Sequence, residues 1–405
     1  MKLIKCFFII ILLSFFYNLF LVTLGLDKSY VYHIFIIIGL IVLLSKTKSL
    51  SRISIVFIFL NLIPFLLSCV KLGFLEGFSY FLTTGLLPVI FYEAIRKNFS
   101  QDVFDIIIFY ALFKYSLYII MIPLEVYLNS RANIAGLQFS GGQYNSIAIL
   151  IMILIILYVG KSIGLKIKKH FITYAKFLFF TTVLLSFSKG GLVVGLIMFL
   201  TEIRNINIKK LFVGILLVSS AYFILLNTIT IENSFTLKYW LLRFDLYDNI
   251  TGNVNISSSS LTEALQSNSR DIFYSFLNER NFLDFLVGSG IGTSTYIIKE
   301  ASSGEFSFGS FHNLFLTIFM ERGFFFLSFF TTLLIYNISK MLIIIKEHRF
   351  RLFFYSLALL LFAISTGFEF FVNSRDFNID FIILFFTFIY LINYYHINKN
   401  DLKYN

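Results

Sequence analysis

Runs of roughly 20 apolar residues follow one another along almost the whole chain. In lipid a backbone has no water to bond, so each run must satisfy its own polar groups as a helix or close into a barrel. The strict apolar-polar alternation of barrel strands is absent. The expected fold is therefore an all-α polytopic membrane protein. Composition agrees, with 58% of the 405 residues hydrophobic and 14% charged, where a soluble domain carries about a quarter charged.

Taken in order, apolar spans are expected at 6–26, 30–45, 53–70, 74–95 and 103–122, the last closed by Pro123. The first follows Lys2 and Lys5 like a signal peptide, but it is long and no small-x-small cleavage pattern follows, so it reads as a retained span. A sixth span covers 144–159. The block 171–203 is too long for one span at 1.5 Å per residue and is interrupted by Ser186-Phe187-Ser188-Lys189-Gly190-Gly191, which predicts two helices meeting at that corner. Further spans are expected at 211–226, from about 313–323 to 345, at 352–372 and at 379–395, about twelve in all.

Basic clusters at 46–52, 96–97, 161–170, 204–210 and 346–351 then fall on one side together with both termini. By the positive-inside bias that side is cytoplasmic. The loops around Arg131, Lys189, 228–311 and Arg375 fall together on the external face. A single integral membrane domain, 1–405, is expected, with 228–311 as its one long polar loop.

Within that loop, 235–247 mixes aromatics with Lys238 and Arg243 and suits either a short interfacial helix or a packing segment. Ser269 is a candidate N-cap for a short helix that would leave Arg270 off its apolar stripe. The run Gly288-Ser289-Gly290-Ile291-Gly292 could cradle a phosphate, yet no strand or Walker lysine accompanies it. A tight turn letting backbone approach another element fits it better. Glu321 and Arg322, within an apolar span, are expected to face a polar cavity or a partner, because a charge at bilayer depth costs about 2.5–3.5 kcal/mol.

The five histidines and two cysteines are scattered, with no His-Glu-x-x-His arrangement and no cysteine pair near another ligand, so no metal site and no cofactor are expected. The net charge of +11 comes mainly from short loops between spans and marks topology rather than nucleic-acid binding. Arg131, Lys189, Arg270 and His312, gathered on the external face, suit an anionic ligand at the membrane surface, most simply a lipid-linked diphosphate. The alternative is that Arg131 and Arg270 pair with carboxylates such as Asp271, Asp284 or Glu305, and that His312 is a satisfied histidine at a helix start.

Four stretches, in order, resemble the O-antigen polymerase and O-antigen ligase superfamily of polytopic envelope glycosyltransferases. Arg131…Gly136…Phe139…Tyr144-Asn145 is similar to the family's Arg-x-x-Gly stretch and the Asn-containing span after it, with Gln-Tyr-Asn where many members have Pro-Asn. Ser186-Phe187-Ser188-Lys189-Gly190 resembles a Ser-x-Ser-Arg-Gly corner, with lysine in place of arginine. Arg270 followed by Phe282 to Gly292 resembles the Arg…Gly-x-Gly-x-Gly loop. His312-Asn313-x-x-Leu316…Glu321-x-Gly323 is similar to the His-Asn…Glu-x-Gly lead-in to the next helix.

The resemblance implies transfer of a glycan from undecaprenyl diphosphate to an acceptor hydroxyl on the periplasmic face of the inner membrane, inverting and without a required metal. Arg270 and His312 would be catalytic. Arg131, Lys189, Asn145, Asn313, Gly290 and Glu321 would bind diphosphate or glycan, with Glu321 a structural partner rather than a nucleophile. The implied partners are undecaprenyl-diphosphate-linked oligosaccharide as donor and acceptor, the bilayer, and a chain-length regulator protein. A polymerase joins two lipid-linked repeat units, whereas a ligase delivers the glycan to lipid A core. The expected activity is polymerase, with ligase the alternative and a lipid-linked oligosaccharide flippase or transporter a third reading.

Overall fold

The computed structural model describes residues 50–132, 139–185, 189–203, 281–294, 296–297, 313–365 and 378–401. Within them the chain is mostly helical and no strand forms. Helix α1 is Arg52–Leu72. Helix α2, Phe74–Phe81, passes through a π-helical turn, Leu82–Leu86, into α3, Leu87–Asn98. Then come α4, Gln101–Ala132; α5, Phe139–Ser162; α6, Lys169–Leu185; and α7, Lys189–Ile203. The short α8 is Phe282–Val287, followed by α9, Leu314–Ile344; α10, Arg349–Ser365; and α11, Asn378–Asp401.

Three helices among the described residues are long and apolar enough to cross a membrane: Arg52–Leu72, Phe74–Lys97 and Leu314–Ile344. The break expected inside 171–203 is present, with α6 ending at Leu185 and α7 opening at Lys189. Two boundaries are corrected. Pro123 does not close the fifth span, because α4 continues through it to Ala132. An interior proline removes one backbone donor and bends a helix, and membrane helices tolerate this where neighbours take up the freed groups. Arg131 consequently lies in a helical turn. Likewise α5 begins at Phe139, ahead of the expected 144. The spans expected at 6–26, 30–45 and 211–226 and the segment 235–247 lie outside the described residues.

Helix α5 is the core. Residues 147–159 are buried on every face, as a helix apolar all round should be, and α4, α6, α10 and α11 pack around it. Helix α1 has the opposite pattern. Its buried positions are Ser54, Phe57, Asn61, Pro64 and Ser68, at alternating spacings of three and four. Ile55, Phe59, Leu62, Leu66 and Val70 point outward. Small and polar residues inward with large apolar residues outward is what a helix in lipid requires, since burying leucine gains little there while backbone approach and interhelical hydrogen bonds gain more.

Polar contacts join the helix ends that carry the basic clusters. Glu93 accepts from Ser51 N–H at 2.7 Å and pairs with Arg96 at 2.8 Å. Gln101 exchanges hydrogen bonds with the backbone of Lys166. Glu202 of α7 pairs with Lys176 of α6 at 2.5 Å and with Arg351 of α10 at 2.8 Å, and accepts from Tyr355 at 2.5 Å. The segments around 51, 93–101, 161–170, 202 and 346–351 thus gather at one end of the bundle.

At that end His348, in the turn between α9 and α10, lies edge-on against Tyr158 with ring centroids 5.0 Å apart. Burial holds its pKa below the ordinary 6.5, and Lys161, Arg351 and Lys176 add to the effect, against an opposing pull from Glu347. The unfolded chain therefore binds this proton more readily than the folded one. The resulting stability is complete above about pH 6.5 and is lost as pH falls through the depressed folded value. Unfolding midpoints of wild type and His348→Gln, compared from pH 7.5 down to 5, should show a steeper acid loss in the wild type. Parallel profiles would remove His348 as a contributor.

Candidate functional site

Helix α9 is broken one-third of the way along. Gly323 has φ 74° and ψ −177°, a region open essentially to glycine alone. The chain leaves the helix there and resumes beyond it, so α9 has an arm, residues 314–322, hinged on Gly323. Asn313 caps that arm, its Oδ1 accepting from Leu316 N–H at 3.1 Å.

The glycine run fills the break. In an unbroken helix the carbonyls of Met320 and Glu321 would serve the amides of Phe324 and Phe325. Here Ser289 N–H donates to Met320 O at 2.9 Å and Gly290 N–H to Glu321 O at 3.0 Å. Ile291 N–H reaches Pro64 O at 3.4 Å, and Ser68 Oγ shares its proton between Pro64 O at 2.7 Å and Ile291 O at 2.9 Å. A Cβ on Gly288 would overlap the backbone of Glu321 and Arg322, and one on Gly323 would overlap Gly288 N and Leu286 O. Gly290 lies close enough to α1 that a Cβ would sit 2.8 Å from Ser68 N. The run is the close-approach turn that its lack of phosphate-binding companions implied. The amides of Ser289, Gly290 and Ile291 go to neighbouring backbone carbonyls and that of Gly292 to the Glu321 carboxylate, so Gly290 is a packing residue in this conformation.

The two ionisable residues beside the break reach different elements. Glu321 is fully buried, and its Oε1 accepts from Ser294 Oγ at 2.5 Å and Ser294 N–H at 3.2 Å. Arg322 is also buried and donates to Asn61 Oδ1 on α1 and to Thr84 Oγ1 in the π-helical turn, the latter at 2.8 Å. Its guanidinium lies 4.8 Å from the centroid of the Phe326 ring. Asn61 and Thr84 are held for this by their own bonds, Asn61 Nδ2 to Phe57 O and Thr84 Oγ1 to Tyr80 O, each 2.7 Å. The adjacent opposite charges thus tie four pieces of chain to one point: α1, the π-helical turn, the glycine run and α9. Charge within an apolar span is tolerated where polar groups meet it, and here Asn61, Thr84 and Ser294 do so.

Four further sequence-stretch residues share one end of the bundle by chain direction. Arg131 is in the last turn of α4, Asn145 in the second turn of α5, Lys189 opens α7, and Asn313 precedes α9. Each lies at the helix end away from the Glu202, Lys176 and Arg351 cluster. Arg270 and His312 lie outside the described residues.

Sequence reasoning missed Asn61, Thr84 and Ser294 as partners of the charged pair. One signal was available for Asn61: Ser54, Asn61 and Ser68 recur every seven residues along an otherwise apolar span, which marks an inward helix stripe. The π-helical turn that places Thr84 has no comparable signature. Comparison with family models, curated proteins and solved structures finds no match to this chain.

Proposed function

We propose that the chain is a surface-polysaccharide polymerase of the bacterial inner membrane, with about twelve spans and cytoplasmic termini, transferring a growing glycan from undecaprenyl diphosphate to another lipid-linked repeat unit. The observation that carries this reading is the docking of the glycine run into the Glu321-x-Gly323 break. The described parts of two of the four stretches that resemble the envelope glycosyltransferases, 282–292 and 313–323, pack as one unit, and that unit holds the arm 314–322 capped by Asn313.

In this mechanism the acceptor hydroxyl oxygen attacks the anomeric carbon from the face opposite the diphosphate, and the bond from that carbon to the diphosphate oxygen breaks. The electron pair leaves with the diphosphate. Arg270, with Arg131 and Lys189, stabilises the charge that develops on it. His312 takes the proton of the attacking hydroxyl, the general-base role that imidazole serves most often. The expected result is polymer formation by purified, reconstituted protein from lipid-linked repeats in the presence of chelator, reduced at least about 100-fold by Arg270→Ala or His312→Ala. Full activity in both variants would overturn the site. In a deletion strain, core carrying a single repeat supports polymerase, whereas bare core with accumulated lipid-linked polymer indicates the ligase activity instead.

The broken α9 with ionisable residues beside the break favours a second reading, a transporter of lipid-linked oligosaccharide, because transporters build midplane sites from discontinuous helices. Against it, the carbonyls of Met320 and Glu321 at this break are occupied by Ser289 and Gly290 and are not free for an ion. Translocation of a labelled lipid-linked repeat across vesicles without polymer formation would favour the transporter.

A further inference from the structure

Helix α8 turns large apolar side chains away from the protein: Phe282 is 77% exposed, Leu283 62% and Phe285 42%. In water this surface would be unfavourable for so short an element. Much of the backbone around it, by contrast, is hydrogen-bonded within the protein. Asn281 Oδ1 caps Asp284 N–H at 2.7 Å, Phe285 N–H donates to Asn281 O at 3.1 Å, and Gly288 N–H donates to Asp284 O at 2.9 Å. The next three amides go to the carbonyls of Met320, Glu321 and Pro64. Non-helical backbone is tolerated at hydrocarbon depth where it is buried in protein that takes its hydrogen bonds, or where it lines a water-filled cavity, and here the glycine run is of the first kind.

The level and the neighbours of α8 agree. The segment 286–290 packs beside residues 320–323, which lie roughly 9–14 Å along α9 from its first residue at 1.5 Å per residue. The apolar face of α8 continues onto α9, where Phe285 stacks on Phe324 with centroids 5.8 Å apart and both Phe324 and Phe325 are exposed. Helix α9 is one of the helices long and apolar enough to cross a membrane. Asp284, the one charge on α8, is half-buried rather than outward.

We propose that residues 281–292 are a re-entrant element: α8 dips into the bilayer with Phe282, Leu283 and Phe285 against lipid acyl chains, and the glycine run returns the chain through the break in α9. The long polar interval is therefore not wholly extramembrane. This placement does not depend on the transfer reaction.

The test is collision accessibility of a spin label on full-length protein in vesicles of phosphatidylethanolamine and phosphatidylglycerol. Leu283→Cys, and independently Phe282→Cys, are labelled in a Cys6→Ser, Cys69→Ser background. Phe59→Cys on the outward face of α1 and Lys166→Cys in an exposed turn serve as references. Preference for oxygen over a water-soluble nickel chelate at 283 and 282 should match Phe59→Cys and exceed Lys166→Cys about tenfold. Chelate access like that of Lys166→Cys would place α8 in water and overturn the proposal. An immobilised label shielded from both reagents would place protein on this face, whether a second copy or another part of the chain, and would overturn it equally.

Discussion

Gly323→Ala should destabilise the protein by about 3 kcal/mol or more, as should Gly288→Ala, each combining a glycine-only backbone with an obstructed Cβ. Gly323 has φ 74° and ψ −177°, and Gly288 has φ 82° and ψ 176°, so an alanine is strained at either site before any neighbour is considered. The neighbours then forbid it, because the two added methyl groups would overlap each other's backbone surroundings. Alanine at 323 has an escape that a loop residue would lack. It can adopt helical angles and close the missing rungs of α9, but Met320 O and Glu321 O would then be taken from Ser289 and Gly290, and the glycine run would be expelled. Gly73→Ala is the control: its φ of 90° is similarly strained, but nothing lies within 4 Å of the added carbon, so its cost should stay at about 1–2 kcal/mol. Unfolding midpoints in detergent, with hydrogen exchange at 288–292, measure the difference. If Gly323→Ala costs no more than Gly73→Ala, the docked loop is not what stabilises the break.

Chemistry that depends on local pattern was legible in the chain, and chemistry that depends on tertiary partners was not. The split of 171–203 follows from its excess length together with the Ser-Lys-Gly-Gly interruption, and the preference of the glycine run for a close approach over phosphate follows from its missing companions. The need of Glu321 and Arg322 for polar surroundings follows from the cost of charge in hydrocarbon. Their partners do not. Asn61, Thr84 and Ser294 lie 261, 238 and 27 residues away from them, and only the folded bundle brings them together. Pro123 misleads for a related reason: the rule that proline ends a helix describes an isolated helix in water, and α4 has neighbours. The break at Gly323 was the hardest to see, because nothing in a run of Phe, Met, Glu and Arg announces that a second segment will supply the hydrogen bonds the helix gives up.

Arg322→Met should cost about 3–5 kcal/mol, because it leaves the buried Glu321 carboxylate without its neighbouring countercharge and strips a donor from Asn61 and Thr84 together. Arg322→Lys should recover only part of this, remaining about 2 kcal/mol below wild type. One ammonium has the charge but lacks the planar fork that bridges α1 to the π-helical turn. Glu321→Gln keeps an oxygen for Ser294 while removing the countercharge, so it too should destabilise. The informative measurement is the double variant Glu321→Gln, Arg322→Met. Neither charge then remains buried, and the cost should fall short of the sum of the single variants by about 1–3 kcal/mol. Unfolding midpoints of the four proteins close the cycle. Strict additivity would mean that Glu321 and Arg322 are two unrelated anchors that happen to be adjacent. A large coupling would mean that the loop held by Glu321 and the helices held by Arg322 are fixed as one unit. In that case the arm beginning at Asn313 cannot move relative to α1 unless both charged residues release together.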